Sequence, residues 1–233
     1  MRQVVLDTET TGLEVGKGHR LIEIGCIELL ERRPTQRRFH RYLNPQRAID
    51  EGARAVTGIS DEFLLDKPLF AHVAAELLEF IGDAELIIHN AAFDLAFIDA
   101  ELTLAGLPHC RLAGRQPVLD TLALAREKYP GQKNSLDALC RRLEVDNTHR
   151  ELHGALLDAE LLADVYLAMT TGQGDLGLAA EVSAMTPIRE AVRATARAAL
   201  KVLVATADEV AAHAARLSSI DNASKGRCRW RLS

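Results

Sequence analysis

Three short stretches of this chain concentrate the side chains able to do acid–base or metal chemistry. They are Asp7-Thr8-Glu9-Thr10-Thr11-Gly12, His89-Asn90-Ala91-Ala92-Phe93-Asp94 and His153-Gly154-Ala155-Leu156-Leu157-Asp158. Alternate side chains of a strand share a face, so Asp7 and Glu9 project together. Two carboxylates that close repel each other unless a cation lies between them. Hard divalent ions want oxygen ligands, and Mg²⁺ commonly takes one or two carboxylates together with substrate phosphates. Asp94 falls in the first turn of a helix, where the helix dipole favours an acid. Asp158 lies among Leu156, Leu157, Leu161 and Leu162, and an acid in such a stretch needs a partner or a metal. His153 stands one glycine before that helix and can reach a point the helix face cannot. Its imidazole, with an ordinary pKa of about 6.5, suits proton transfer near neutral pH. Each stretch alone also has a plain structural explanation. The first could be a polar strand end, the second an N-cap (Asn90) followed by a helix acid, and the third a capping histidine with a solvated aspartate.

The elements that must hold these groups can be read from apolar periodicity. Gln3–Asp7 is a buried strand, Leu21–Leu30 a second and Arg38–Leu43 a third, ended by Asn44-Pro45. Phe70–Ile81 has helical spacing, Leu86–His89 is a short strand, and Phe93–Ala105 is a helix closed by Gly106 and Pro108. Val118-Leu119 is a last strand. Helices follow at Thr121–Tyr129, at Ser135–Arg142 with Ser135 as N-cap, and at about Gly154–Thr170. Strands first, then strands alternating with helices, make an α/β domain with a mixed sheet. A linker follows from Gly172 to Met185. Thr186-Pro187 starts a helix, Leu200–Val204 is a strand, Thr206 caps a helix to about Ile220, and Cys228–Leu232 is a terminal strand. A segment of about 45 residues is small for independent stability, so this tail is expected to fold fully on a partner.

Taken together, Asp7-x-Glu9, Asn90-x-x-Phe93-Asp94 and His153-x-x-x-x-Asp158 resemble the three motifs of the DEDD exonuclease superfamily. The histidine places the chain in that subclass; the sister subclass has a tyrosine where Gly154 stands. Leu6–Gly12, Ile88–Asp94, Asn134–Arg142 and Leu152–Met169 look more closely like the epsilon-subunit family of bacterial DNA polymerase III, the proofreading 3′–5′ exonucleases. The resemblance runs over nearly the whole chain, tail included. It implies a ribonuclease H-like fold, a mixed five-stranded sheet flanked by helices, with a small C-terminal polymerase-binding segment. The implied organisation is an exonuclease domain over 1–171, a linker over 172–185 and a polymerase-binding tail over 186–233. The implied reaction is removal of the last nucleotide from a DNA 3′ end as a 5′-monophosphate, with two divalent cations, Mg²⁺ or Mn²⁺. By resemblance Asp7 bridges both ions, Glu9 and Asp158 help hold the one carrying the attacking water, Asp94 holds the other, and His153 is the general base.

Family position also implies a nucleotide pocket. Thr10, Leu13, Val56, Asn90 and Phe93 would cradle the terminal nucleotide beside Asp7, Glu9 and Asp158, an apolar surface suiting a base read without sequence preference. Val56 and Phe93 are as readily plain core. Thr57 departs from the family, where many relatives carry histidine, and it is expected to offer the nucleotide one hydroxyl. Gly52 stands where those relatives have a glutamate. His89 and Asp120 lie near the motifs as supporting groups, and Asp120 is equally a helix cap.

Composition bounds the alternatives. Of 233 residues, 48% are apolar and 26% charged, as in an ordinary globular protein. The sequence contains no apolar run long enough for a membrane helix, and the amino terminus meets Asp7 too early for a signal peptide. Cys26, Cys110, Cys140 and Cys228 are widely spaced, which suits reduced thiols in the cytoplasm. Residues 188–233 carry nine basic and four acidic side chains, leaving 19 against 29 in residues 1–187. So acidic a body repels nucleic acid at long range unless metals invert the local field. By resemblance the tail binds the polymerase catalytic (alpha) subunit; Trp230, between Arg229 and Arg231, reads as an anchor into a partner ahead of a nucleic-acid stacking patch. Gln173–Leu178 resembles a weak sliding-clamp motif. Two alternatives stand beside this reading: a free RNA- or oligonucleotide-trimming exonuclease, and a non-catalytic polymerase-stabilising subunit.

Overall fold

The first strand, β1 (Arg2–Thr10), buries side chains on both faces. Val4 and Leu6 enter one apolar cluster and Val5 another. The period of two therefore sends Asp7 and Glu9 to the Val5 side and Thr8 to the Val4 side. After a 3-10 turn at Val15–Lys17 the chain returns as β2 (Leu21–Leu30), antiparallel to β1 and buried along almost its whole length. β3 (Arg33–Tyr42) pairs antiparallel with β2 at the sheet edge, a place that tolerates Pro34. β4 (Glu85–Ile88) and β5 (Val118–Asp120) add in parallel beyond β1, giving the order β3-β2-β1-β4-β5.

Helices cover both faces. In chain order they are α1 (Glu51–Thr57), α2 (Asp61–Leu64), α3 (Phe70–Ile81), α4 (Ala91–Leu104), α5 (Thr121–Lys128), α6 (Leu136–Leu143) and α7 (Ala155–Thr170). α3 and α4 pack on the Val4 face, while α5, α6 and α7 pack on the Val5 face. Gly25 of β2 stands opposite Asp7, and a side chain there would overlap the backbone of Ala155 and Leu156. Its missing Cβ lets the first turn of α7 lie directly on the strand next to Asp7.

This computed structural model describes residues 1–148, 150, 152–171 and 205–224. The chain divides into two units, Met1–Gly177 and Leu178–Ser233. In the second, α8 (Ala207–Ala223) is capped by Thr206 and Glu209, each side chain bonding the other's backbone amide, and it buries none of its residues. Among the described residues no helix is long and apolar enough to cross a membrane.

Several elements differ from the sequence expectation. β1 runs on to Thr10, so Glu9 stays in register with Glu23 of β2 before a bulge. β3 begins at Arg33, not Arg38, because pairing with β2 carries its polar first half. α1 and α2 were not expected; they are short, and of their residues only Thr57 and Leu64 are buried. Ser135 is the N-cap of α6, but its side chain makes no capping bond. α8 ends at Ala223 rather than Ile220. The linker, the Thr186 helix start, the Leu200–Val204 and Cys228–Leu232 strands, Trp230 and the clamp-like Gln173–Leu178 lie outside the described residues.

Candidate active site

Asp7 and Glu9 emerge from β1 on the face covered by α6 and α7, and Asp158 meets them from the first turn of α7. One ligand atom each from Glu9, His153 and Asp158 lie within 4.8 Å of one another. Asp94 arrives from the other side of the sheet in the first turn of α4. It is 3% exposed and accepts a hydrogen bond from Thr8 Oγ1 at 2.7 Å. Asp7 lies between the two groups: burial, then repulsion from Asp94, Asp158 and Glu9, holds its carboxyl well above the usual range. Burial and Asp158 push Glu9 up to about 8. Burial pushes Asp94 up to about 7 against the Thr8 hydrogen bond.

Asp158 behaves differently. It is buried rather than solvated, yet the Arg150 guanidinium and the adjacent His153 outweigh burial and hold its carboxyl below the usual range. Arg150, which the motifs did not reveal, donates to both Asp158 oxygens at 2.6 Å and to Asp137 Oδ1 at 2.5 Å. His153 is half exposed, with Nδ1 3.4 Å from Asp158 Oδ2. Asp158 raises its pKa, while burial and Arg150 oppose this. The His153 amide donates to Val56 O at 3.0 Å, tying the backbone that carries the imidazole to α1. A second unexpected acid, Glu23, faces Glu9 across the β1–β2 pair and bonds His40 at 2.7 Å. Only the strand register reveals it. Among the described residues the four acids Asp7, Glu9, Asp94 and Asp158 share one basic side chain and one hydroxyl, so the chain does not supply the positive charge that would let all four ionise together. An oxygen-rich donor set with one imidazole suits a hard divalent cation, so the residues fit a metal.

Two cavities adjoin here. A cleft of about 570 Å³ is lined by Asp7, Glu9, Asn90, Asp94, His153 and Asp158. A second, of about 430 Å³, is lined by Thr10, Leu13, Gly52, Val56 and Thr57; Thr8, Glu9 and Phe93 border both. Leu13 is 81% exposed and Val56 45%, so neither is core. Phe93 packs against Phe97 with ring centres 4.9 Å apart and stays open to both cavities.

Thr57 corrects the expectation. Its hydroxyl donates to Ala53 O at 3.0 Å and accepts from the Ile59 amide at 3.2 Å, so its proton is committed inside α1. The Thr10 hydroxyl likewise donates to Gly12 O at 2.7 Å. Asn90 occupies the N-cap position of α4 with φ 66° and makes no side-chain capping bond. Asp120 does that work, accepting from the Asn90 and Ala91 amides and also from those of Leu122 and Ala123 at the start of α5. It is a double cap. His89 bonds Thr121 Oγ1 at 2.9 Å, and burial lowers its pKa.

The family model described as Exonuclease matches residues 4–166. DNA polymerase III subunit epsilon of Escherichia coli (strain K12) is 50% identical to this chain, over 99% of the chain and 97% of the relative. The chain belongs to the DNA polymerase III epsilon-subunit family. The Pasteurella multocida (strain Pm70) epsilon subunit is 48% identical, over 98% and 93% of the two chains. The solved structure of exonuclease X in complex with 5′ overhanging duplex DNA superposes with a TM-score of 0.57 at 24% identity, covering 74% of this chain and 93% of that one. The nuclease domain of 3′hExo, a DEDDh family member bound to rAMP, gives 0.63 at 18% identity, covering 73% and 92%. These likenesses carry the fold, which is ribonuclease H-like. As a member of the epsilon family with an exonuclease domain, the chain is a 3′–5′ proofreading exonuclease. Its fold implies dependence on divalent metal ions.

Proposed function

We propose that this chain hydrolyses the last phosphodiester at a DNA 3′ end, releasing a nucleoside 5′-monophosphate, with Asp7, Glu9, Asp94 and Asp158 holding two Mg²⁺ or Mn²⁺ ions. The observation that supports this most is the meeting of Glu9, His153 and Asp158 from distant segments, within 4.8 Å, beside an apolar cavity. When bound, the cations stabilise negative charge on the attacking and leaving oxygens.

The chain's own groups supply the rest. Leu13, Val56 and Phe93 receive the terminal base by apolar contact and stacking, which accepts any base. Thr10 and Thr57 support that wall through their inward hydrogen bonds, and Asn90 lines the cleft beside it. Glu9, bordering both cavities, lies where the nucleotide meets the carboxylates. His153 takes the proton of the attacking water; the new bond forms at phosphorus and the bond to the 3′-oxygen of the preceding nucleotide breaks. The His153–Val56 backbone bond holds the base at a set distance from the nucleobase pocket. Degradation of 5′-labelled single-stranded DNA with Mg²⁺ or Mn²⁺ tests this reading. Wild type should shorten the strand from its 3′ end and Asp7→Asn should not; equal degradation by the two contradicts the reading.

Residues 186–233 then serve as the tail for the polymerase catalytic (alpha) subunit, residues 172–185 as the linker, and Gln173–Leu178 as a weak sliding-clamp contact, all at the replication fork in the cytoplasm. An acidic body binds free DNA poorly, and tethering restores a high local concentration at the 3′ end. The catalytic polymerase subunit should co-purify with the full chain and not with residues 1–171; equal recovery contradicts the tail assignment.

A further inference from the structure

Arg150 sits among the groups that would hold metal. Its side chain is 6% exposed. Nε donates to Asp158 Oδ1 and Nη2 to Asp158 Oδ2, both at 2.6 Å. Nη2 also lies 2.8 Å from His153 Nδ1, and Nη1 2.5 Å from Asp137 Oδ1. A guanidinium has only donors and keeps its charge, so the nitrogen of His153 that faces it presents a lone pair. Among the described residues Glu9, His153 and Asp158 bring ligand atoms within 4.8 Å of one another, and Arg150 engages two of them. A divalent cation needs the same lone pairs and would be repelled by a guanidinium at that spot. Asp137, on α6 at the cleft rim, has 47% of its side chain exposed and offers a carboxylate that the four metal-holding acids do not need.

We propose that Arg150 is a built-in substitute cation. It neutralises Asp158 and occupies His153 while the metal site is empty, and it withdraws toward Asp137 when a divalent ion takes Asp158. The proposal rests on the metal-site reading above. Two consequences follow for this side chain. Metal binding is coupled to loss of the Arg150–Asp158 pair, so removing Arg150 tightens metal binding. The same exchange frees the His153 lone pair, so the base becomes available only once the cation has arrived.

The test is Mn²⁺ binding to the full chain, followed by calorimetry and by the electron paramagnetic resonance of free Mn²⁺. Arg150→Gln should bind Mn²⁺ about tenfold more tightly than wild type, within the 5–150-fold range usual for coupled sites. Arg150→Lys, which keeps a charge but loses the paired geometry, should fall between the two. Equal or weaker binding by a folded Arg150→Gln protein overturns the proposal. Should Arg150→Gln not fold without metal, wild type decides by ¹⁵N NMR of the Arg150 Nε–H. Its signal should be protected in EDTA and shift or exchange on saturation with Mg²⁺; an unchanged signal overturns the proposal. Wild type that binds no Mn²⁺ at all removes the metal-site reading itself, and this inference with it.

Discussion

Helix α4 buries three acids to the same degree, Asp94 at 3%, Asp99 at 4% and Glu101 at 3%, and the protein treats its two ends differently. Toward its C-terminal end, Glu101 accepts from Arg20 Nε at 2.6 Å, from Nη2 at 2.7 Å and from the Leu21 amide at 3.3 Å. Asp99 accepts from the Leu112 and Ala113 amides at 2.6 and 3.3 Å. At the cleft end Asp94 has the neutral Thr8 hydroxyl as its side-chain partner and Asp7 as a close neighbour. Burial is equal, so burial does not separate structural from functional acids. Charge pairing along α4 does: Glu101 has Arg20 and Asp99 has Arg111 beside it, whereas Asp94 has neutral donors, the Thr8 hydroxyl and the Thr8 and Asp94 amides, and is left short of positive charge.

Breaking the ligand-seeking set should cost chemistry and spare stability. Asp7→Asn should reduce turnover by about 10³-fold or more, since losing metal charge stabilisation forfeits several kcal/mol of the barrier. Its melting temperature in EDTA should hold or rise because a carboxyl whose ionisation burial and its acidic neighbours oppose has gone; a large drop would erase the distinction between the two ends. His153→Ala should lower kcat by about 10²-fold or more at neutral pH, the usual contribution of a general base, with folding unchanged by circular dichroism. Kinetics equal to wild type would remove His153 from the reaction.

Breaking the self-completed set should do the reverse. Glu101→Gln leaves Arg20 without its charged partner and should cost about 2–4 kcal/mol in urea unfolding. The protein that remains folded should turn over within about twofold of wild type. Collapse of turnover in folded Glu101→Gln would show that the two ends of α4 are not separate.

The pH dependence of stability sharpens the same contrast. Glu9 and Asp94 have folded-state values near 8 and 7, above their ordinary ones, so protonation stabilises the folded state. That contribution is complete below about pH 4 and is lost as pH rises through about 7 to 8. In EDTA the urea midpoint should therefore fall over that window, and Mn²⁺ should abolish the fall. A midpoint that rises steadily over the window in EDTA contradicts the assignment. The smallest effect belongs to the base pocket: Val56→Ala should raise KM about fivefold, for roughly 1 kcal/mol of apolar contact, with kcat nearly unchanged.

The strand that carries Asp7 and Glu9 was legible because period-two burial fixes side-chain faces locally, and Val4, Val5 and Leu6 show it. Asp94 and Asp158 were legible as acids beside apolar helix residues. What stayed hidden depends on contacts between distant segments. Arg150 has no motif of its own and acquires its meaning from Asp158 and Asp137. Glu23 becomes a neighbour of Glu9 only through strand register. The commitment of the Thr57 hydroxyl to Ala53 and Ile59 needed α1, a short exposed helix with no apolar period to announce it. Asp120 was readable as a cap for α5, but its second role at α4 arises from β4 and β5 lying side by side.

The central claim is that the acids of three distant segments form one cation site at the end of β1. Anomalous diffraction from crystals of the protein soaked in Mn²⁺ with a nucleoside 5′-monophosphate tests it directly. Two manganese peaks should appear among Asp7, Glu9, Asp94 and Asp158, with the base lying between Val56 and Phe93. Manganese found only elsewhere, or none with the nucleotide bound, would contradict the account.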